Sequence, residues 1–133
     1  MKSKNLVLVM FTLLSVSVFA QNKGTKVEVL YFKAQLACCQ ARACNTLEVD
    51  VQKVIDNNFK NNNVSFKEIK LNDSANSELI KTYNAKSQTV VLVATKKSKR
   101  ISVDVSDIVS EYAKNSDFEV FQKKLSEQIN QLL

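Results

Sequence analysis

Apolar positions change period several times along this chain, and each change marks an element. Val27, Val29 and Tyr31 interleave with Glu28, Leu30 and Phe32. A run this rich in β-branched and aromatic residues predicts a strand buried on both faces. It ends at Lys33-Ala34. Further on the period becomes helical. Leu47, Val51, Val54, Ile55 and Phe59 share one face, with Glu48, Gln52, Lys53 and Asp56 elsewhere. Asn45 or Thr46 is a candidate cap for this helix; a start inside the preceding cysteine segment is the alternative. Lys60-Asn61-Asn62-Asn63 breaks the pattern, and Val64 to Leu71 reads as a second strand.

Asp73 or Ser74 would cap a second helix that carries Leu79, Ile80 and Tyr83 on one side. Thr89-Val90-Val91-Leu92-Val93-Ala94 is the strongest strand signal in the chain. Lys96 to Lys99 makes a turn, and Ile101, Val103 and Val105 alternate with polar residues as in a hairpin strand with one wet face. Ser106 to Lys114 is a candidate short helix. Ser116-Asp117-Phe118-Glu119 has the form of a capping box opening a last helix, whose buried stripe is Phe118, Phe121, Leu125, Ile129 and Leu132. The main order is strand, helix, strand, helix, strand, strand, helix. That order predicts an α/β domain, a mixed sheet with helices on both faces.

Residues 1–20 have a different character. Lys2 and Lys4 precede an apolar run from Leu6 to Leu14, and small residues at Ser17 and Ala20 fit an export-type cleavage site. The expectation is a signal peptide over 1–20, a polar lead-in over 21–26 and one domain over 27–133. The apolar run is short for a membrane-spanning helix, so no stable span is expected once the leader is removed. The expected location is periplasmic or secreted. Of the 19 basic residues two lie in the leader, which leaves 17 against 13 acidic residues, a net charge of +4. The basic residues are dispersed except for Lys96, Lys97, Lys99 and Arg100. These read as a solvated hairpin tip, and no nucleic-acid partner is expected.

The candidate chemistry is concentrated. Cys38, Cys39 and Cys44 are all the cysteine the chain has, and there is no histidine. They follow the first strand and precede the helical pattern. There the free N–H groups and partial positive charge of a helix start favour thiolate, and Arg42 would add to the effect. Three thiols cannot all pair within one chain. Three readings stay open. Soft metal or metalloid ions, of the As(III) or Sb(III) type, accept two or three sulfurs without imidazole, whereas zinc would need a fourth ligand from Glu48 or water. Thiol redox work would use Cys44 with Cys39 or Cys38. A structural disulfide with one spare thiol is the third. A single glycine, Gly24, argues against phosphate-loop chemistry, and no Ser–His–Asp set or paired-carboxylate site is visible.

This element order, with cysteines between the first strand and first helix, resembles the thioredoxin fold over nearly the whole of residues 27–133. The Cys38-Cys39, four residues, Cys44 spacing resembles the loop of the bacterial arsenite metallochaperones. That resemblance implies that Cys38, Cys39 and Cys44 ligate trivalent metalloid and pass it to an efflux partner. Val-Glu-Val-Leu-Tyr-Phe, the cysteine segment, Tyr83 to Val93 and the terminal Phe-Gln-Lys-Lys-Leu-Ser-Glu-Gln-Ile are similar to a Bacteroidetes family of thioredoxin-like proteins, the nitrophenyl compound nitroreductase subunit ArsF family. This second resemblance implies a redox or electron-passing role beside a reductase partner, with Cys39 and Cys44 as the working pair. Members of that family carry Cys-x-x-Cys where this chain has the longer spacing. Thioredoxin-type oxidoreductases place a cis-proline at the mouth of the third strand. This chain has no proline, and Gln88-Thr89 stands there with an expected trans peptide.

Overall fold

The computed structural model describes residues 24–35, 38–61 and 63–133; within the first helix the side chains of residues 38–42 and 44 are outside that description. The expected leader over 1–20, and the lead-in as far as residue 23, also lie outside the described residues. The elements run β1 (Lys26–Lys33), α1 (Cys38–Asn58), β2 (Val64–Lys70), a 3-10 turn (Ser74–Asn76), α2 (Ser77–Thr82), β3 (Val90–Lys96), β4 (Lys99–Asp104), α3 (Ser106–Asn115) and α4 (Phe118–Leu132).

The strands form one mixed sheet in the order β2-β1-β3-β4. β1 and β2 are parallel, in register from Val27 opposite Val64 to Lys33 opposite Lys70. β3 runs antiparallel to both of its neighbours. The interior strands explain the apolar run of the sequence. On one face Val27, Val29, Tyr31 and Leu92 pack against Leu47, Val51 and Val54 of α1, Val109 of α3 and Phe121, Leu125 and Ile129 of α4. On the other face Leu30, Phe32, Ile69, Val91 and Val93 are covered by Leu79, Ile80 and Tyr83. The sheet is therefore a middle layer, with α2 on one side and α1, α3 and α4 on the other. Among the described residues the protein is an α/β structure with a four-stranded mixed sheet and four helices.

Several expectations change in detail. Of the two starts left open for the first helix, the one inside the cysteine segment holds: it starts at Cys38 and not at Asn45 or Thr46, because Gln40, Ala41, Arg42 and Ala43 are good helix formers with no glycine or proline among them. The last helix is capped by Asp117, whose Oδ1 accepts from the Val120 N–H at 3.1 Å. Ser116 is no part of that cap: it closes α3 in the left-handed conformation, at φ 56°. Asp73, expected to cap the second helix, caps the 3-10 turn before it instead, accepting from the Ala75 N–H at 2.9 Å, and α2 begins after Asn76 with no side-chain cap. Ile101, expected on the dry face of β4, is 55% exposed at the sheet margin. Among the described residues no helix is long and apolar enough to cross a membrane.

Candidate functional site

β1 delivers the chain to the amino end of α1. Lys33 is its last residue, and the three cysteine positions occupy the first seven places of the helix. With 3.6 residues per turn, the three positions fall on three columns of the helix surface. Cys38 shares a column with Asn45 and Val49, both exposed. Cys39 shares one with Ala43, Thr46 and Asp50. Cys44 shares one with Glu48 and with Val51 and Ile55, which are buried against the sheet. At 1.5 Å per residue, position 44 lies about 9 Å along the axis from position 38 and about 7.5 Å from position 39. A disulfide needs Cα atoms within about 7 Å. A helix wound from Cys38 thus holds Cys44 out of disulfide reach of either neighbour. Bringing them together requires the first turn to unwind. That turn is the least costly to lose, since its N–H groups have no partner inside the helix.

Two polar clusters flank the cysteine-bearing half of α1. In the first, the Lys33 ammonium donates to Glu48 Oε2 on α1 and, at 3.4 Å, to Glu68 Oε2 on β2. Lys70 lies 4.0 Å from the other Glu68 oxygen. Burial pushes the Glu48 carboxyl up from its ordinary value, and the neighbouring Glu68 adds to the shift. The hydrogen bond from Glu48 holds Glu68 below its ordinary value. The bond to Glu48 raises Lys33. The arrangement is two carboxylates bound to one ammonium, with Glu48 a single helical turn from the Cys44 position. Beside it opens a recess of about 380 Å³ between Ala34, Gln35 and Asn72, where the Asn72 amide donates to Gln35 Oε1 at 2.7 Å.

The second cluster lies on the Cys39 column. The Tyr112 hydroxyl donates to Asp50 Oδ2 at 2.8 Å, and its ring stacks on Phe121 with centroids 4.4 Å apart. Burial, then the Asp50 carboxylate, pushes the Tyr112 hydroxyl up to about 12. A groove of about 380 Å³ runs along this side, floored by Ala43, Leu47 and Ala113. A larger cavity, about 790 Å³, lies at the opposite end of α1 around Asn58 and Phe59. We place the candidate site at the cysteine end, because volume alone brings no reactive group to the far one.

The mouth of β3 is bonded to the end of β1. Phe32 N–H donates to Thr89 O at 2.9 Å and Gln88 N–H donates to Phe32 O at 2.8 Å. Gln88 sits at φ 66°, and no peptide bond among the described residues is cis. The position expected to carry a trans peptide is therefore built from a left-handed glutamine.

Of the residues expected to do chemistry, Cys38, Cys39 and Cys44 are brought to one helix end, but their side chains, and that of Arg42, lie outside the described residues. Among the described residues no group of three or more histidine, cysteine or acidic side chains gathers as a metal site, and the three thiols are not in that set. Glu48, considered as a fourth ligand, is engaged by Lys33. Sequence reasoning missed Lys33, Glu68, Asp50 and Tyr112. The only signal for the first was a lysine ending an otherwise apolar strand beside the cysteines.

No family model matches the chain. No curated protein matches it either. A solved structure described as "Structure of a malarial protein" is similar over 67% of this chain and 96% of its own, at 20% identity and a TM-score of 0.38. A likeness of that size carries no argument about what this chain does.

Proposed function

We propose that this chain is an exported thiol protein with a thioredoxin-like fold that captures soft metal or metalloid ions, of the trivalent arsenic or antimony type, through Cys38, Cys39 and Cys44. The fold assignment is supported by the strand order β2-β1-β3-β4 with β3 antiparallel to its neighbours, and by helices on both faces of the sheet. One observation carries the functional reading: every cysteine of the chain stands in the first seven positions of a helix that follows an interior strand. The free N–H groups and partial positive charge of that end favour thiolate, the form that ligates.

Capture of arsenite by three thiols is a ligand exchange without electron transfer. Three As–O bonds break, three As–S bonds form, and the three thiol protons leave with the hydroxyls as water. The spread of the thiols over three columns makes capture a coupled event. The turn holding Cys38 and Cys39 unwinds so that both reach Cys44, and α1 shortens. Release to an efflux partner outside the cytoplasm would let the turn rewind.

A redox role with Cys39 and Cys44 is the second reading. The carboxylates of Glu48 and Glu68, both bound by Lys33 and with Glu48 one turn from Cys44, favour it, since burial raises the Glu48 carboxyl and thiol–disulfide exchange needs a place for a proton.

The test is arsenite titration of the reduced protein, with far-UV circular dichroism followed in parallel. Ligation by three sulfurs predicts one ion per chain, a loss of helical signal on binding, and at least about tenfold weaker binding for each of Cys38→Ser, Cys39→Ser and Cys44→Ser. Unchanged binding by Cys38→Ser or Cys39→Ser overturns it. A redox role predicts instead one indispensable pair and a dispensable third thiol.

A further inference from the structure

β4 is an edge strand, and its free edge is complementary to itself. Val105 N–H donates to Val90 O at 2.9 Å, which places Val105 in a hydrogen-bonded pair with β3. Antiparallel pairing alternates, so Val103, Ile101 and Lys99 also bond towards β3. Arg100, Ser102 and Asp104 therefore turn their N–H and C=O groups outward. No strand covers them among the described residues. An uncovered row of this kind is a template for another strand.

We propose that a second copy of this chain covers that edge, with β4 pairing antiparallel to β4 about a two-fold axis through Ser102. In that register Ser102 opposes Ser102, Arg100 opposes Asp104 of the other copy, and Ile101 opposes Val103 of the other copy. The Ser102 pair lies on the axis and occurs once; each of the other two pairs occurs twice. The outward groups of Arg100, Ser102 and Asp104 are the ones that bond across the axis, so the backbone register and the charge register agree. The side chains agree as well. The Arg100 side chain is 59% exposed and pairs with Glu28 at 3.9 Å. Asp104 uses one carboxylate oxygen to accept from Ser106. Ile101, 55% exposed in the single chain, would gain an apolar neighbour. The other edge of the sheet has no such match: β2 paired with itself about its centre sets Lys67 against Lys67. Opposite charges across a strand pair stabilise it and like charges oppose it, so β4 selects its own copy and β2 rejects one.

Sedimentation of the reduced full chain over a range of concentrations tests this. The wild type forms a dimer whose share rises with concentration and falls with added salt. Arg100→Glu and Asp104→Arg each set like charges together twice and weaken self-association by roughly tenfold or more. Mixing these two variants restores association, because every cross-copy pair is then opposite in charge. Ser102→Pro removes the donor at the axis without touching a bond to β3, so it stays folded and monomeric. The proposal is overturned if the wild type stays monomeric at every concentration, if Ser102→Pro or Arg100→Glu associates as well as the wild type, or if the mixed variants fail to associate. Circular dichroism of each variant confirms its fold, and Arg100→Glu with Ser102→Pro decide the matter should Asp104→Arg unfold on losing its contact to Ser106.

Discussion

Removing the Lys33 ammonium is the sharpest probe of the cluster beside the cysteines. Lys33→Met keeps the stem that lies along the end of β1 and deletes the charge between Glu48 and Glu68. The three side chains are 26%, 15% and 29% exposed, neither at the surface nor fully enclosed. Exposed pairs are worth about 0–1 kcal/mol, and stripping one partner from a buried pair costs about 3–5 kcal/mol. An intermediate site predicts a loss of about 2 kcal/mol at pH 7, most of it from two carboxylates left facing each other.

The pH dependence gives the prediction its sign. Without the ammonium, the pair binds a shared proton more tightly in the folded chain than in the unfolded one. Its folded-state pKa is then raised, and stability rises as pH falls through the window between that value and the ordinary carboxylate range. The Lys33→Met deficit therefore shrinks between about pH 7 and about pH 5. In the wild type Glu48 is raised and Glu68 lowered, so their contributions oppose and the same window is flatter. Adding Glu48→Gln to Lys33→Met removes the repulsion and recovers part of the loss. Urea unfolding followed by circular dichroism at the two pH values measures all of this. A deficit below ~0.3 kcal/mol at pH 7, or one that grows towards pH 5, refutes the reasoning.

Two further changes test the surroundings of the site. Tyr112→Phe keeps the stack on Phe121 and loses the bond to Asp50, for a cost of about 1 kcal/mol at neutral pH. Tyr112 is raised, so its stabilisation is complete below the ordinary tyrosine value and is lost as pH rises towards about 12; urea unfolding across alkaline pH should show the variant losing less in that window than the wild type. Gln88→Gly relieves a left-handed backbone and stabilises by roughly 0.5–1 kcal/mol, whereas Gln88→Val destabilises; thermal melts that rank the two the other way would remove the strain argument.

Legibility followed locality. β1 and β3 were readable because strands covered on both faces are apolar nearly throughout, and α1 was readable because Leu47, Val51, Val54 and Ile55 repeat at helical spacing. The start of α1 was left open between Asn45 or Thr46 and the cysteine segment, because cysteines invite a loop while the neighbouring Ala41, Arg42 and Ala43 favour a helix; the structure takes the earlier start. Ser116 was misread for a comparable reason. The spacing to Glu119 satisfies a capping box, yet the residue was already committed to ending α3, and the cap passed to Asp117. The Lys33–Glu48–Glu68 cluster was not readable at all. Its members sit on three elements, and only the parallel register of β1 with β2 sets Glu68 diagonally across from Lys33. The same holds for Tyr112 and Asp50, which α3 and α1 bring together from 62 positions apart.

The double cover of β1 and β3 leaves their alignment without a hydrophobic arbiter. In a strand with one wet face, a slip of one residue turns the apolar set to water and is rejected. Here a slip exchanges one dry face for another, and Val90-Val91-Leu92-Val93-Ala94 offers similar bulk either way. Alignment must then be held at the two ends of β3. At one end the tight turn between Lys96 and Lys99, with Lys97 at φ 55°, sets β3 against β4. At the other, the paired bonds of Phe32 with Gln88 and Thr89 set β3 against β1. Lengthening either end would leave the sheet intact in composition but free to close one residue out of step.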